Sequence, residues 1–408
     1  MADIAILGYG ARGMIYSLIA KEEGLNVVAV CDILEDRRRA AKRILSLSDE
    51  RCYEDADEFF AAGKLADILI LSTIDGTHYE YALRALDLGY DILLEKPIAL
   101  TLAEVDGIAK KAKELKRKIG VSHVLRYAPF YMQIKSIIDS GAIGKVMNVN
   151  QTENVGYYHY AHSFVRGNWH NSKETCPMIL AKCCHDFDII LWLTGKSCKK
   201  LSSFGSLDHF TYANAPEGSA ARCKDCAANK TCPYDAYQIY KVHPTWVKIP
   251  DGQEENWENA KKVLDDNDTF YDKCVYRCDN DVVDHQTVNM VMEDGIIANL
   301  TMQAFSGEIY RRTQVCGTLG EINGILEENK VELSVFGKEK KTYTIGVKDA
   351  ISPHAGGDRL LLIDFVKYVG KETESFKADI DKSVESHRLA FAAESSRLQD
   401  GKTMEFKN

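Results

Sequence analysis

The 408-residue chain has no apolar run long enough to cross a membrane. Its start, Met1-Ala2-Asp3-Ile4, goes straight into a strand-like segment and lacks the charged opening and cleavage site of a secretory leader. Internal repeats and low-complexity tracts are absent. There is no basic block to offset an acidic balance: 51 Lys+Arg stand against 60 Asp+Glu, a formal charge of −9. These absences argue against a membrane protein and against a general binder of nucleic acid or anionic lipid. A cytoplasmic protein is the expectation. With 45% hydrophobic residues the chain is not mostly disordered, and its length predicts two domains and a large core. Proline is scarce, eight in all, yet Pro216, Pro233, Pro244 and Pro250 fall in one stretch of poor periodicity.

The first thirty residues carry the clearest signal. Asp3-Ile4-Ala5-Ile6-Leu7 is a short buried-strand pattern, followed at once by Gly8-Tyr9-Gly10-Ala11-Arg12-Gly13. A helical run to Glu23 and a second apolar strand ending at Asp32 come next. In this context the first glycine permits the tight turn and the second lets backbone approach a pyrophosphate. The third allows helix to pack closely on strand, and the helix N-terminus faces the phosphates. Asp32 would bond a ribose 2′-hydroxyl and repel a 2′-phosphate, which favours NAD over NADP, although Arg37, Arg38 and Arg39 follow. Strands and helices then alternate to residue 123, predicting a doubly wound parallel sheet. Ligands bind such sheets beyond the carboxyl ends of the strands, where Asp32, Thr73, Glu95-Lys96-Pro97 and His123 all fall. The cofactor site is therefore placed on residues 8–13 with Asp32, Thr73, His78 and Glu95.

Lys96 at a strand end can donate to a reacting hydroxyl and stabilise developing alkoxide. Pro97 restricts it to extended geometry, and a cis Lys96-Pro97 peptide is expected. Further on, His185-Asp186-Phe187-Asp188 opens an apolar helix, and an imidazole there could accept the hydroxyl proton as hydride leaves. The alternative for His185 is a histidine that caps a helix or satisfies a core carbonyl.

The glycine turn, the strand-end Glu95-Lys96-Pro97 and the later His185-Asp186-Phe187-Asp188 together resemble the Gfo/Idh/MocA oxidoreductases. The resemblance covers essentially the whole chain. It implies a Rossmann domain over 1–123 and an α+β domain with a large open, mostly antiparallel sheet over 124–408. It also implies oxidation of a secondary hydroxyl on a sugar, cyclitol or glycoside, with Lys96 and His185 as catalytic residues. In the family pattern an aspartate stands four residues before the histidine; here that position is Ala181, with Lys182 beside it as a possible participant. The same resemblance places Arg126 and Tyr127 near the substrate. His162, Arg166 and Trp169 extend an aromatic, histidine-rich stretch suited to carbohydrate, though such tyrosines and histidines often only cover a sheet. His354-Ala355-Gly356-Gly357-Asp358 resembles a substrate loop of the family, or is a helix-entry turn.

Cys223, Cys226 and Cys232 lie in a cysteine-rich insertion at about 198–280, at a spacing that suits a structural zinc or reduced thiols. Cys198, His209, Cys274 and Cys278 are candidates for a fourth ligand. The lack of a clear four-cysteine run counts against an iron–sulfur cluster. An open sheet that needs cover predicts a homodimer or homotetramer. Three functions stay open: net NAD-linked oxidation of a carbohydrate hydroxyl, redox-neutral glycoside cleavage through a 3-keto intermediate, and a non-catalytic NAD or sugar sensor.

Overall fold

The computed structural model describes residues 2–250, 252–266, 269–346, 351, 354 and 356–406. Six short strands form the first sheet: β1 (Ile4–Leu7), β2 (Val27–Cys31), β3 (Cys52–Tyr53), β4 (Ile68–Leu71), β5 (Asp91–Leu94) and β6 (Ile119–Val121). Their order is β3-β2-β1-β4-β5-β6 and every pairing is parallel. Buried on both faces, they read as continuous Ile, Leu, Val and Ala runs rather than alternating ones. The predicted doubly wound sheet is thus present, with the strand order that opens a crevice between β1 and β4. Two of its helices start on side-chain caps: Asp55 accepts from the Glu58 amide at the head of Ala56–Ala61. Thr101 and Glu104 close a reciprocal capping box on the helix Leu102–Glu114.

Nine strands make the second sheet: β7 (Val146–Asn154), β8 (Cys198–Ser206), β9 (His285–Met292), β10 (Ile297–Gln303), β11 (Tyr310–Gly317), β12 (Gly320–Ile325), β13 (Lys330–Val335), β14 (Lys341–Thr344) and β15 (Met404–Glu405). The order is β14-β13-β12-β11-β7-β10-β9-β8-β15, antiparallel except where β7 meets β10. One face carries Val149, Val288, Met290, Leu300, Met302 and Val315 against the helices Pro129–Asp139, Cys184–Thr194 and Ile380–Arg397. The opposite face is hydroxyl- and amide-rich: Asn150 donates to Gln314 and Asn299 to Asn289. Phe204 and Ile297 are exposed among these polar residues on the same face. Because β8 belongs to this sheet, the insertion starts after Ser206 rather than at 198, and it ends before β9.

The last fifty residues return to the first domain. Leu361, Leu362 and Phe365 of the helix Gly357–Val369 share a core with Ile6, Tyr16 and Ile70. The amide of Val121 in β6 donates to Ala378 O at 2.8 Å. The helix Ile380–Arg397 then buries Val384 in the first domain's core and Leu389, Ala390 and Ala393 in the second's. Among the described residues no helix is long and apolar enough to cross a membrane.

Gly13 shows how tightly the first turn is packed. A Cβ added there would lie 2.2 Å from the carbonyl oxygen of Gly8, which itself has φ +93°. Gly13→Ala is expected to cost at least about 1–3 kcal/mol, the usual range for overpacking. A urea midpoint equal to that of the wild type would contradict this packing.

Candidate active site

The cleft lies beyond the carboxyl ends of β1, β2, β4 and β5. After β1, the helix Ala11–Glu22 opens on Gly10 with no side-chain cap and no acid in its first turn. Its N-terminus is therefore available to an anion such as a pyrophosphate. Beyond β2, the Asp32 carboxylate accepts from the amides of Tyr9 (2.7 Å) and Leu34 (2.9 Å). The Arg37 guanidinium reaches the same carboxylate at 3.3 Å. Tyr9 turns its ring inward, where its hydroxyl meets Ser17 Oγ, so its backbone rather than its side chain faces the turn. Thr73 pairs its hydroxyl with that of Thr77 at 2.6 Å. His78 is fully buried, its two ring nitrogens lying on Pro97 O and Thr73 O, which pins the two strand ends together.

At the end of β5, Glu95 Oε1 accepts from Arg12 Nε at 2.6 Å and from Tyr16 OH at 2.9 Å. The second nitrogen of that guanidinium binds Tyr16 OH and Asp358. Burial alone would raise the Glu95 carboxyl, but the adjoining Arg12 charge outweighs it and holds Glu95 below the usual carboxylate range. Lys96 follows, joined to Pro97 by a cis peptide. Its Nζ donates to Ala181 O at 2.9 Å, so the first domain's lysine reaches the second domain's helix just before His185.

His185 sits in a row of imidazoles. Its ring centroid lies 5.6 Å from that of His123 and 6.1 Å from that of His354, and His123 lies 5.8 Å from His387. His185 Nδ1 is buried without a partner. Burial, then the nearby Lys96 charge, push the His185 pKa well below its ordinary value, so the ring is neutral. His387 Nε2 accepts from the Ile98 amide at 2.9 Å, which places its proton on Nδ1, facing Ser383 O at 3.0 Å. Beneath the row, Arg311 Nε lies 2.6 Å from Glu153 and 3.2 Å from Asp186, and Lys182 Nζ is 3.4 Å from Glu153. Burial pushes Asp186 up to about 6 against the pull of Arg311.

Several residues expected at the substrate have protein partners in the structure. Arg126 is bidentate to Asp188 at 2.7 Å per bond and also binds Lys377 O; Asp188 is thereby engaged by Arg126 rather than oriented on His185. Tyr127 donates to Asp364 at 2.6 Å inside the first domain's core. His162 pairs with Tyr240 OH, and Arg166 donates to the carbonyls of Lys273 and Tyr234, so both anchor the insertion. Trp169 donates to Asp75 at 2.9 Å, tying the second domain to the turn after β4. Lys182 stays beside the cleft. His354 meets Asp358 at 3.1 Å, which brings part of the 354–358 loop to the site, while Ala355 lies outside the described residues. The expected zinc is not supported: among the described residues no group of three or more His, Cys, Asp or Glu is arranged to hold a single metal ion.

Comparison with known proteins agrees with this geometry. Residues 2–123 match the NAD-binding Rossmann domain of an oxidoreductase family, and 135–405 match its C-terminal alpha/beta domain. The chain belongs to the Gfo/Idh/MocA oxidoreductase family. It is 27% identical to YteT of Bacillus subtilis strain 168, an oxidoreductase by name, over 78% of this chain and 76% of that one. It is 29% identical to inositol 2-dehydrogenase of Salmonella typhimurium, over 49% of this chain and 56% of the relative. In fold it is similar to an inositol dehydrogenase homolog from Azotobacter vinelandii solved with NAD+ (TM-score 0.72, 16% identity, 99% and 97% of the two chains).

In this oxidoreductase the residues that sequence reading missed are the long-range partners. His387 lies 289 residues from Ile98, and nothing local marks it. Glu153 and Arg311 gave a usable signal, since both are charged residues at inward positions of alternating strands.

The buried histidines set an acid limit. Burial pushes His123 and His162 down to about 4 and His387 to about 3, and lowers His159, His185 and His354 as well. Between those values and the ordinary 6.5 the unfolded chain binds more protons than the folded one, so stability falls as pH falls. Asp186, Asp235, Glu327 and Asp379, whose carboxyls burial raises, have the opposite sign, but the lowered histidines outnumber them. The urea midpoint is expected to drop between pH 6.5 and about 4.5. A midpoint that rises on acidification would contradict the buried neutral row.

Proposed function

We propose that this chain is an NAD-dependent dehydrogenase that oxidises a secondary hydroxyl of a cyclitol or sugar. The observation that carries the reading is the meeting of Lys96 Nζ with the Ala181 carbonyl, next to the buried, neutral His185 and beyond a glycine-turn sheet. The cofactor fits the residues present: an uncapped helix N-terminus for the pyrophosphate and Asp32 beyond β2 for the ribose. Asp32 favours NAD, while Arg37 beside it offsets part of the repulsion toward a 2′-phosphate. When bound, the nicotinamide supplies the hydride acceptor.

Lys96 uses one N–H on Ala181 O and has others to offer a substrate hydroxyl. Its charge lowers the hydroxyl pKa and stabilises alkoxide character as hydride leaves. His185, kept neutral by burial, accepts the proton at a ring nitrogen. Lys182, Arg311, Glu153 and Asp186 form a buried, mutually balanced ionic cluster close to His185. The substrate class is supported by relatives named inositol 2-dehydrogenase and scyllo-inositol 2-dehydrogenase (NAD(+)). It is also supported by the fold likeness to an inositol dehydrogenase homolog solved with NADH and myo-inositol.

The test follows the near-ultraviolet absorbance of reduced nicotinamide with NAD+ and a panel of cyclitols, sugars and aryl glycosides. A continuous rise beyond one equivalent per chain is expected with a cyclitol or sugar. Lys96→Ala should cut kcat by about 10²–10⁴-fold with NAD+ binding retained. Unchanged turnover in that variant would overturn the assignment of Lys96. Aglycone release with no more than one equivalent of reduced cofactor would replace net oxidation with glycoside cleavage, and silence across the panel would leave a sensor.

A further inference from the structure

The four imidazoles in the row at the site differ in what surrounds them. His123 and His387 are completely buried, and His185 is 5% exposed. The His354 side chain is 29% exposed, so within the row it alone has substantial contact with solvent. His185 therefore has no open route by which to return a proton to water once it has taken one from a hydroxyl. On its other side, His123 Nε2 lies 3.4 Å from Ser386 Oγ, and that hydroxyl donates to Ser383 O. This direction ends among the buried Ser383, Ser386 and His387.

His354 is also the member of the row with a hydrogen-bonded carboxylate. Its Nδ1 donates to Asp358 Oδ2 at 3.1 Å, and an acceptor-only partner there leaves Nε2 as the nitrogen that can take a proton. Acids nearer His185 are committed elsewhere: Asp186 to Gln151 and Arg311, and Asp188 to Arg126. His123 reaches Asp188 only at 3.8 Å. Asp358 is fully buried in the first turn of the helix Gly357–Val369, where the helix N-terminus favours an anion, and Arg12 binds its Oδ1. The Gly357 amide donates to His354 O at 3.0 Å and so closes the turn that presents the imidazole. A Cβ on Gly357 would lie 2.3 Å from Val124 O, which shows how closely this turn is seated. The His354 ring centroid is 6.1 Å from that of His185, a separation that one hydrogen-bonded water spans.

We propose that His354, oriented by Asp358, is the relay that carries the substrate proton from His185 to solvent. The relay rests on the dehydrogenase reading above. As hydride leaves the carbinol carbon for the nicotinamide, the hydroxyl O–H bond breaks and a carbonyl forms. The proton adds to His185, passes from that imidazolium to Nε2 of neutral His354, and leaves to water. Alcohol and oxidised cofactor thus become ketone, reduced cofactor and one released proton. The surroundings favour this direction of transfer. The ionisable groups facing His354 are Asp358 on its own turn, Arg12 on the helix after β1, Arg311 on β11, and His185. Burial lowers both histidines, but Asp358 pulls His354 back up, whereas the Lys96 charge pushes His185 further down. Asp358 is thus a positioning residue that fixes the Nδ1 proton and stabilises the His354 imidazolium.

Ring-nitrogen NMR on the full chain, with neither cofactor nor substrate added, tests the pair directly. The His354 proton is expected on Nδ1, and His354 should protonate at a higher pH than His185; the reverse order would overturn the relay. Turnover with NAD+ and an accepted cyclitol or sugar tests the step itself. In His354→Ala the loss should fall on later turnovers rather than on the first equivalent of reduced nicotinamide, since His185 still accepts one proton. Those later turnovers should slow by about 10²-fold in dilute buffer and recover as free imidazole is added. Far-ultraviolet dichroism confirms that the variant is folded. Wild-type turnover in His354→Ala would overturn the relay and leave the dehydrogenase reading standing. So would a loss that falls equally on the first equivalent and does not respond to imidazole. A wild type that forms no reduced nicotinamide with any cyclitol or sugar would overturn that reading and the relay with it.

Discussion

The Arg12 guanidinium, clamped between Glu95 and Asp358, is the interaction on which the site depends. It joins three segments that are far apart in sequence: the glycine turn, the end of β5, and the helix Gly357–Val369 that returns from the second domain. Tyr16 completes the cluster by bonding both Arg12 and Glu95. Buried charges of this kind contribute little net stability, but removing one partner strands the others at a cost of about 3–5 kcal/mol. The arrangement is therefore held in one geometry. Because Glu95 Oε2 also accepts the Lys96 amide, the backbone that carries the lysine is fixed relative to the turn that receives the cofactor.

From that fixed backbone the lysine crosses to the second domain. Where the family pattern has an aspartate, this chain has Ala181, and its backbone carbonyl rather than a side chain meets Lys96. The carboxylates that remain, Glu153 and Asp186, sit one layer further in and are balanced by Arg311 and Lys182. His185 consequently has no carboxylate on its Nδ1 and owes its neutrality to burial and to cations. A base held in that way takes up a proton only when the reaction drives one onto it.

Local pattern made the first domain readable. The glycine turn, the buried strands and the capping residues act over a few positions, and each does in the structure what its chemistry requires. The second domain was readable as alternating strands, and the helix that opens near His185 was placed correctly. What stayed hidden was pairing across hundreds of residues: His387 with Ile98 and Asp358 with Arg12. The partners of Arg126, Tyr127 and His162 were hidden for the same reason. Family resemblance put the first two near a substrate and residue type suggested the third, and the structure pairs them with Asp188, Asp364 and Tyr240. The zinc expectation failed on geometry that spacing alone does not carry.

The most direct measurement is the ionisation of His185, followed by NMR on imidazole-labelled protein across acid to neutral pH, in the wild type and in Lys96→Met. The account predicts a neutral ring throughout this range in the wild type, with protonation moving toward the ordinary histidine value once the lysine charge is removed. A His185 that titrates near 6.5 in both proteins would contradict it.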